Sequence, residues 1–354
     1  VSAKPHIVVC GGGAGGIELA IGLARNPRLA VTLVDREEAH MWKPLLHELA
    51  SGSLDAASHE VSFLALARWH GFTFSHGPLE GLDRTSRTIV LGAVSDRNGR
   101  PLIPQRRISY DLIVLAVGGV TNDFGIAGVK QHALALDSAR QAEEIHARVL
   151  HACMSANYAA EAARPPHFPI AIVGGGATGV ELAAELGATT KTLLSYGLDR
   201  LDSASFIAIT LINADSRLLM QLPERLAEDV TVSLRDLGVS VLNGEAVVEV
   251  AADGISTRSG KWIASGLTVW AAGVRAPPFL GKLADLEINR LGQVVVKADL
   301  RSTRDDRIIA LGDCAACPWH GRSGQVPARA QVSHQQARYL VAHISFLTSG
   351  QARS

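Results

Sequence analysis

Cysteine and lysine are scarce, and neither sign of charge is in excess. Four cysteines (Cys10, Cys153, Cys314, Cys317) in 354 residues cannot supply a disulfide framework, so a reducing compartment is expected. Lysine occurs at only seven positions, and 34 Lys plus Arg balance 34 Asp plus Glu. Nucleic-acid proteins usually draw affinity from a cationic surplus, so no nucleic-acid partner is expected. No apolar run approaches the length of a membrane span. The first strand-like run, His6-Ile-Val-Val9, leaves no room before it for a secretory signal peptide, and a cytoplasmic location is the expectation. His47, His59, His320 and His334 form no ligand cluster by spacing, and no metal site is expected.

What the chain does have is apolar mass and glycine. Hydrophobic residues make up 47% and charged residues 19%, enough for the cores of the about two domains that the length predicts. A self-match carries more information. Residues 11–20 read GGGAGGIELA and residues 174–183 read GGGATGVELA, identical at eight of ten positions. Each copy follows a short apolar strand and precedes an Ala- and Leu-rich helical run. That is the context in which a G-x-G-x-x-G motif binds a dinucleotide. Gly11 and Gly174 allow the tight turn. Gly13 and Gly176 let the backbone approach a pyrophosphate. Gly16 and Gly179 let helix pack on strand. The helix N-terminus then faces the phosphates.

A ribose-binding acid is expected at the end of the next strand. Asp35 fills that place after Val31-Thr-Leu-Val34. In the second copy the strand Ile207–Ile212 is followed by Asn213, with Asp215 and Arg217 close behind. Asn213 can still bond a ribose but lacks the carboxylate that repels a 2′-phosphate, so the choice between NAD and NADP stays open.

Two further glycine turns end apolar strands, at Gly118-Gly119 after Asp111-Leu-Ile-Val-Leu-Ala-Val117 and at Ala272-Gly273 after Leu267-Thr-Val-Trp270. A third strand, Arg307-Ile-Ile-Ala-Leu311, runs into Gly312-Asp313. Asp313 is placed either to meet a cofactor or to cap a helix beginning near Ala315. Residues 137–163 read as a helix, Arg164-Pro-Pro-His-Phe-Pro169 as a break, and 84–107 as a small antiparallel element with a turn at Asp96–Gly99. Cys314 and Cys317 have redox-motif spacing at that expected helix start, where a thiolate would be stabilised; small buried packing residues are the alternative.

These stretches, together with His40-Met-Trp-Lys-Pro-Leu-Leu-His-Glu-Leu-Ala50, Trp270-Ala-Ala-Gly-Val-Arg-Ala-Pro277 and Pro327-Ala-Arg-Ala-Gln-Val-Ser-His-Gln335, resemble the type II NADH:quinone oxidoreductases. The resemblance implies a glutathione-reductase-like α/β fold with two Rossmann-like domains. An FAD-binding domain (1–122 and 286–354) would be split by an inserted NAD(P)H-binding domain (123–285). It implies that Gly11, Gly13, Gly16, Asp35, Gly118 and Asp313 bind FAD, with Lys43 and Pro44 along the flavin. Gly174, Gly176, Gly179, Asn213, Ala272 and Gly273 would bind NADH. Glu181, on the helix after the second turn, would lie near nicotinamide and flavin and assist proton movement; an ordinary helix carboxylate is the alternative. The family's quinone signature falls on Ala330-Gln-Val-Ser-His-Gln335, with Ser333 where Ala is usual. Gln331 and Gln335, four residues apart, would share one helix face and bond a quinone. Peripheral attachment to the cytoplasmic face of the inner membrane and homodimers go with the family. Its C-terminal membrane-anchoring segment is expected to be missing here, which would weaken attachment and quinone turnover.

Overall fold

The computed structural model describes residues 4–348 apart from 97, 160–166, 195–197, 199–200 and 202–205. The chain divides into two compact units: Val1–His40 with Glu60–Val120 and Val274–Ser354, and Met41–His59 with Thr121–Gly273.

The first unit is built on a five-stranded parallel sheet in the order Ile308–Ala310, Leu112–Leu115, His6–Cys10, Ala30–Asp35, Thr73–His76. The central strand is the one that precedes the first glycine turn. Its residues Ile7 to Cys10 are at most 1% exposed. Strands covered on both faces need continuous apolar runs rather than alternation, which is why HIVVC and LIVL read as they do. The helix Ala14–Ala24 packs against the helix Ala330–Thr348, with Gly22 against Val341. A three-stranded antiparallel sheet (Leu79–Asp83, Thr88–Leu91, Arg106–Ser109) and the short Val94–Ser95/Pro101–Ile103 pair make the antiparallel element. In the turn between the latter two, Gly99 has φ +80° and its N–H donates to the Asp96 carbonyl.

The second unit repeats the plan. Its parallel sheet runs Ala133–Ala135, Leu267–Trp270, Phe168–Val173, Ile207–Ile212, Ser240–Leu242. The strand before the second glycine turn is again central. The helix expected at 137–163 spans Ala139–Tyr158, and Ser138 Oγ caps it by accepting the Gln141 N–H. Of the expected break at 164–169, residues 164–166 lie outside the described residues, and Phe168 and Pro169 already belong to the strand Phe168–Val173.

Two expectations differ from the structure. The chain crosses between units at 120/121 and 273/274, and Met41–His59 groups with the second unit, not the first. The reason is packing. Leu46, Leu49, Ala50 and Leu54 join the core of Ile145, Val149, Leu182 and Leu186. The helix expected near Ala315 does not form. Gly312–Cys314 forms a single 3₁₀ turn, and Ala315–Ala316 pairs as a strand with Val294–Val295. Among the described residues no helix is long and apolar enough to cross a membrane.

Candidate functional site

In the first unit the three motif glycines have three different surroundings. Gly11 has φ +111°, and a Cβ there would strike the Ala116 carbonyl. A Cβ at Gly16 would strike the Gly11 carbonyl oxygen. At Gly13 it would meet nothing within 4 Å. The first and third glycines are therefore required by the protein itself. The middle one borders open space at the N-terminus of the Ala14–Ala24 helix, where a diphosphate would lie.

The residue between them is held from both ends. The Gly12 N–H donates to Asp35 Oδ2 at 2.5 Å, and the Gly12 carbonyl accepts from His40 Nδ1 at 2.9 Å. Asp35 also accepts the Glu37 N–H through Oδ1 at 2.9 Å and stays half-buried. Burial lowers the pKa of His40, opposed by its bond to Gly12 and by the Asp35 charge. Sequence reasoning gave His40 no role; its place five residues after Asp35 was the available signal.

Gly118 has φ +69° with open space where a Cβ would stand. A Cβ at Gly119 would lie 3.1 Å from Asp313 Cβ, so this turn and Asp313 are neighbours. Gln293 Nε2 donates to the Asp313 carbonyl at 3.0 Å. Gln336 accepts the Gly312 N–H at 2.7 Å. Ser333, buried, would contact a Cβ at either Gly15 or Gly312. The quinone-signature helix thus touches the Asp313 turn through Ser333 and Gln336. Gln331 and Gln335 are exposed, and Ala330 opens the helix half-buried. Gln336, one residue beyond the signature, was missed.

Cys314 lies buried in the turn, donating to the carbonyls of Leu115 at 3.3 Å and Leu311 at 3.2 Å. Burial pushes its pKa up to about 12, and burial raises that of Cys317 too. The stabilised thiolate expected at a helix start is corrected: there is no helix, and the environment favours the neutral thiol.

The second unit repeats the glycine geometry. Gly174 has φ +127°, with a Cβ 2.7 Å from the Ala271 carbonyl oxygen. A Cβ at Gly179 would strike the Gly174 carbonyl oxygen, and one at Gly176 would meet nothing within 4 Å. Gly273 has φ +67°, and a Cβ there would run into the Phe124 ring. Ala272 beside it is half-buried. The Trp270 indole N–H donates to the Asn122 carbonyl at 2.9 Å, and the Asn122 N–H to the Gly273 carbonyl at 3.2 Å. Lys43 and Pro44 sit exposed on a 3₁₀ turn of this unit. Two residues past that turn, His47 Nδ1 lies 3.6 Å from Glu181 Oε2. Sequence spacing dismissed His47; only the fold brings the pair together.

Asn213 is where the structure departs most from expectation. It is 5% exposed, and its Nδ2 hydrogens are shared among the Asp215 and Arg217 carbonyls and Asn243 Oδ1 at 2.9–3.1 Å. Its amide N–H groups are used within the protein and are not offered to a ribose.

Comparison with known proteins agrees with this layout. A family model described as pyridine nucleotide-disulphide oxidoreductase matches residues 5–337. A type II NADH:quinone oxidoreductase of Haemophilus influenzae is 41% identical over 96% of this chain and 80% of its own length. One from Staphylococcus aureus is 26% identical over 99% and 84% respectively. The structure of NDH2 from Plasmodium falciparum in complex with NADH has TM-score 0.84 at 19% identity, covering 97% of this chain and 83% of that one.

Proposed function

The chain belongs to the pyridine nucleotide-disulphide oxidoreductase family and, within it, to the type II NADH:quinone oxidoreductases, and from that premise we propose how its residues divide the work. The protein is an FAD-dependent NADH dehydrogenase that delivers two electrons to a quinone without pumping protons. The observation that carries the division of sites is the doubled glycine turn: two parallel sheets, each with open space at the middle glycine of its central turn. Backbone N–H groups at a helix N-terminus can hold a diphosphate there, and a Cβ would fill the same space. FAD, when bound, takes a hydride from NADH and passes two electrons to the quinone.

The first unit holds FAD. Gly11, Gly13 and Gly16 shape the diphosphate turn, with Asp35 and His40 fixing it through Gly12. Asp35 reaches the adenosine ribose, Gly118 leaves room for the cofactor, and Asp313 takes the ribityl chain. Lys43 and Pro44 keep the flavin role that the resemblance gives them. The second unit holds NADH at Gly174, Gly176 and Gly179, with Ala272 and Gly273 at the nicotinamide end. Glu181, paired with His47, assists proton movement there. Gln331 and Gln335 bond the quinone oxygens from one exposed helix face, next to Ala330.

Anaerobic mixing tests this. NADH bleaches the flavin absorbance, and a water-soluble quinone analogue restores it. Bleaching that quinone does not reverse would point to a protein or other soluble acceptor instead. Peripheral binding to the cytoplasmic face of the inner membrane and homodimer formation extend the same reading; vesicle co-sedimentation and light scattering test them.

A further inference from the structure

The loop after the strand Ile207–Ile212 spends its obvious nucleotide-reading side chains on itself. Arg217 donates from Nη1 to the carbonyls of Leu218 and Leu219, and from Nη2 to those of Met220 and Leu222, at 3.0–3.3 Å. Both terminal nitrogens of the fork are engaged, so the guanidinium has lost the bidentate face with which an Arg grips a phosphate. Asn213 is consumed in the same way.

The result is a loop clipped to the glycine turn. The Leu219 N–H donates to the Gly175 carbonyl at 2.9 Å, and Asn213 lies so close to Gly175 that a Cβ there would overlap it. Asp215 is anchored through its backbone. Its carbonyl accepts from Asn213 Nδ2 and from the Gly244 N–H, and its own N–H points to Asn213 Oδ1. Its side chain is left exposed, with no partner for the carboxylate among the described residues. The first unit has the same bond at its own strand end, from the Glu37 N–H to Asp35 Oδ1. There the strand-end residue is half-buried and acidic. In the second unit it is buried and neutral, and the negative charge stands two residues later.

We propose that Asp215, not Asn213, is the residue that selects NADH over NADPH: its carboxylate faces the adenosine ribose and repels a 2′-phosphate, while Asn213 and Arg217 hold the loop that presents it. This rests on the second glycine turn being the NADH site. It fits the general rule that ligands of parallel sheets bind beyond the carboxyl ends of the strands.

The test is binding of NAD⁺ and NADP⁺ to the holoenzyme by calorimetry, which needs no turnover. The native protein should prefer NAD⁺. Asp215→Asn should lower that preference about tenfold, mainly by tightening NADP⁺, as expected for removing one exposed charge a few ångströms from a dianion. Asp215→Glu should keep it. A preference unmoved by Asp215→Asn would overturn the proposal alone. Failure of the native protein to bind NAD⁺, or NAD⁺ binding unaffected by Gly176→Val, would overturn the site assignment with it.

Discussion

His47 Nδ1 lies 3.6 Å from Glu181 Oε2, and Glu18, the counterpart of Glu181 in the first glycine repeat, lies 3.7 Å from His334 Nδ1. The repeat therefore extends from the glycines to a glutamate–histidine pair in each unit. The Glu181 side chain is half exposed and that of His47 is 16% exposed, so the imidazole is the fixed member and the carboxylate the one that can turn. Glu181→Gln is expected to slow flavin reduction by NADH by about tenfold to a hundredfold, at the low end of acid–base contributions, with FAD content unchanged. His47→Ala should slow it less. The double variant should be no slower than Glu181→Gln, because the pair acts as one device. Stopped-flow bleaching measures all three; a double variant as slow as the product of the single effects would show two independent residues.

The open space at Gly13 and Gly176, against the backbone contact at Gly16 and Gly179, separates binding from folding. Gly13→Val should give a folded protein with unchanged far-ultraviolet circular dichroism and no yellow colour. Gly176→Val should stay yellow, bleach with dithionite, and fail to bleach with NADH. Gly16→Ala should instead cost about 1–3 kcal/mol of stability, since its Cβ meets a carbonyl that cannot move freely. A yellow Gly13→Val protein would refute the diphosphate assignment.

The cysteines should be chemically quiet. Cys10, Cys153, Cys314 and Cys317 are all buried, and burial raises the pKa of each, to about 12 for Cys314 and about 11 for Cys153. Since only the thiolate is nucleophilic, iodoacetamide at about pH 8 should leave the native protein unlabelled and modify all four sites in denaturant. Cys314→Ser with Cys317→Ser should still bleach with NADH. Rapid native labelling at either position, read by mass spectrometry, would reinstate a redox role.

The elements legible in the sequence were those whose signal is local. Val8 and Ile172 lie in apolar runs that end at glycine, and such runs read as buried parallel strands without any tertiary knowledge. Asp35 was legible because a strand end is a countable distance from the motif. What stayed hidden depends on partners far along the chain. Leu46 and Leu49 pack in the core that contains Ile145 and Leu182, a choice no window around Lys43 displays. Asp313 looks like a helix cap until Ala315 pairs with Val294. Asn213 and Arg217 carry the right chemistry for a nucleotide, and only their hydrogen bonds reveal that it is used on carbonyls.

His40 supplies the pH dependence. Its imidazole donates to the Gly12 carbonyl, and burial lowers its pKa below the ordinary 6.5. In the unfolded chain the ring binds a proton more readily, so protons drain stability from the folded state. The contribution of the neutral ring is full above pH 6.5 and shrinks as the pH falls through and below it. The melting temperature should therefore fall between about pH 7.5 and pH 5.5, across the ordinary histidine range. The decisive quantity is the difference between the native protein and a variant that lacks this imidazole. His40→Gln keeps an amide that can donate to Gly12 but has no proton to gain, and its melting temperature should fall less over the same interval. His40→Ala leaves the Gly12 carbonyl without that donor and should release FAD more readily at every pH, as read by the flavin fluorescence of the filtrate. Parallel melting curves for the native protein and His40→Gln would assign the acid sensitivity to another group.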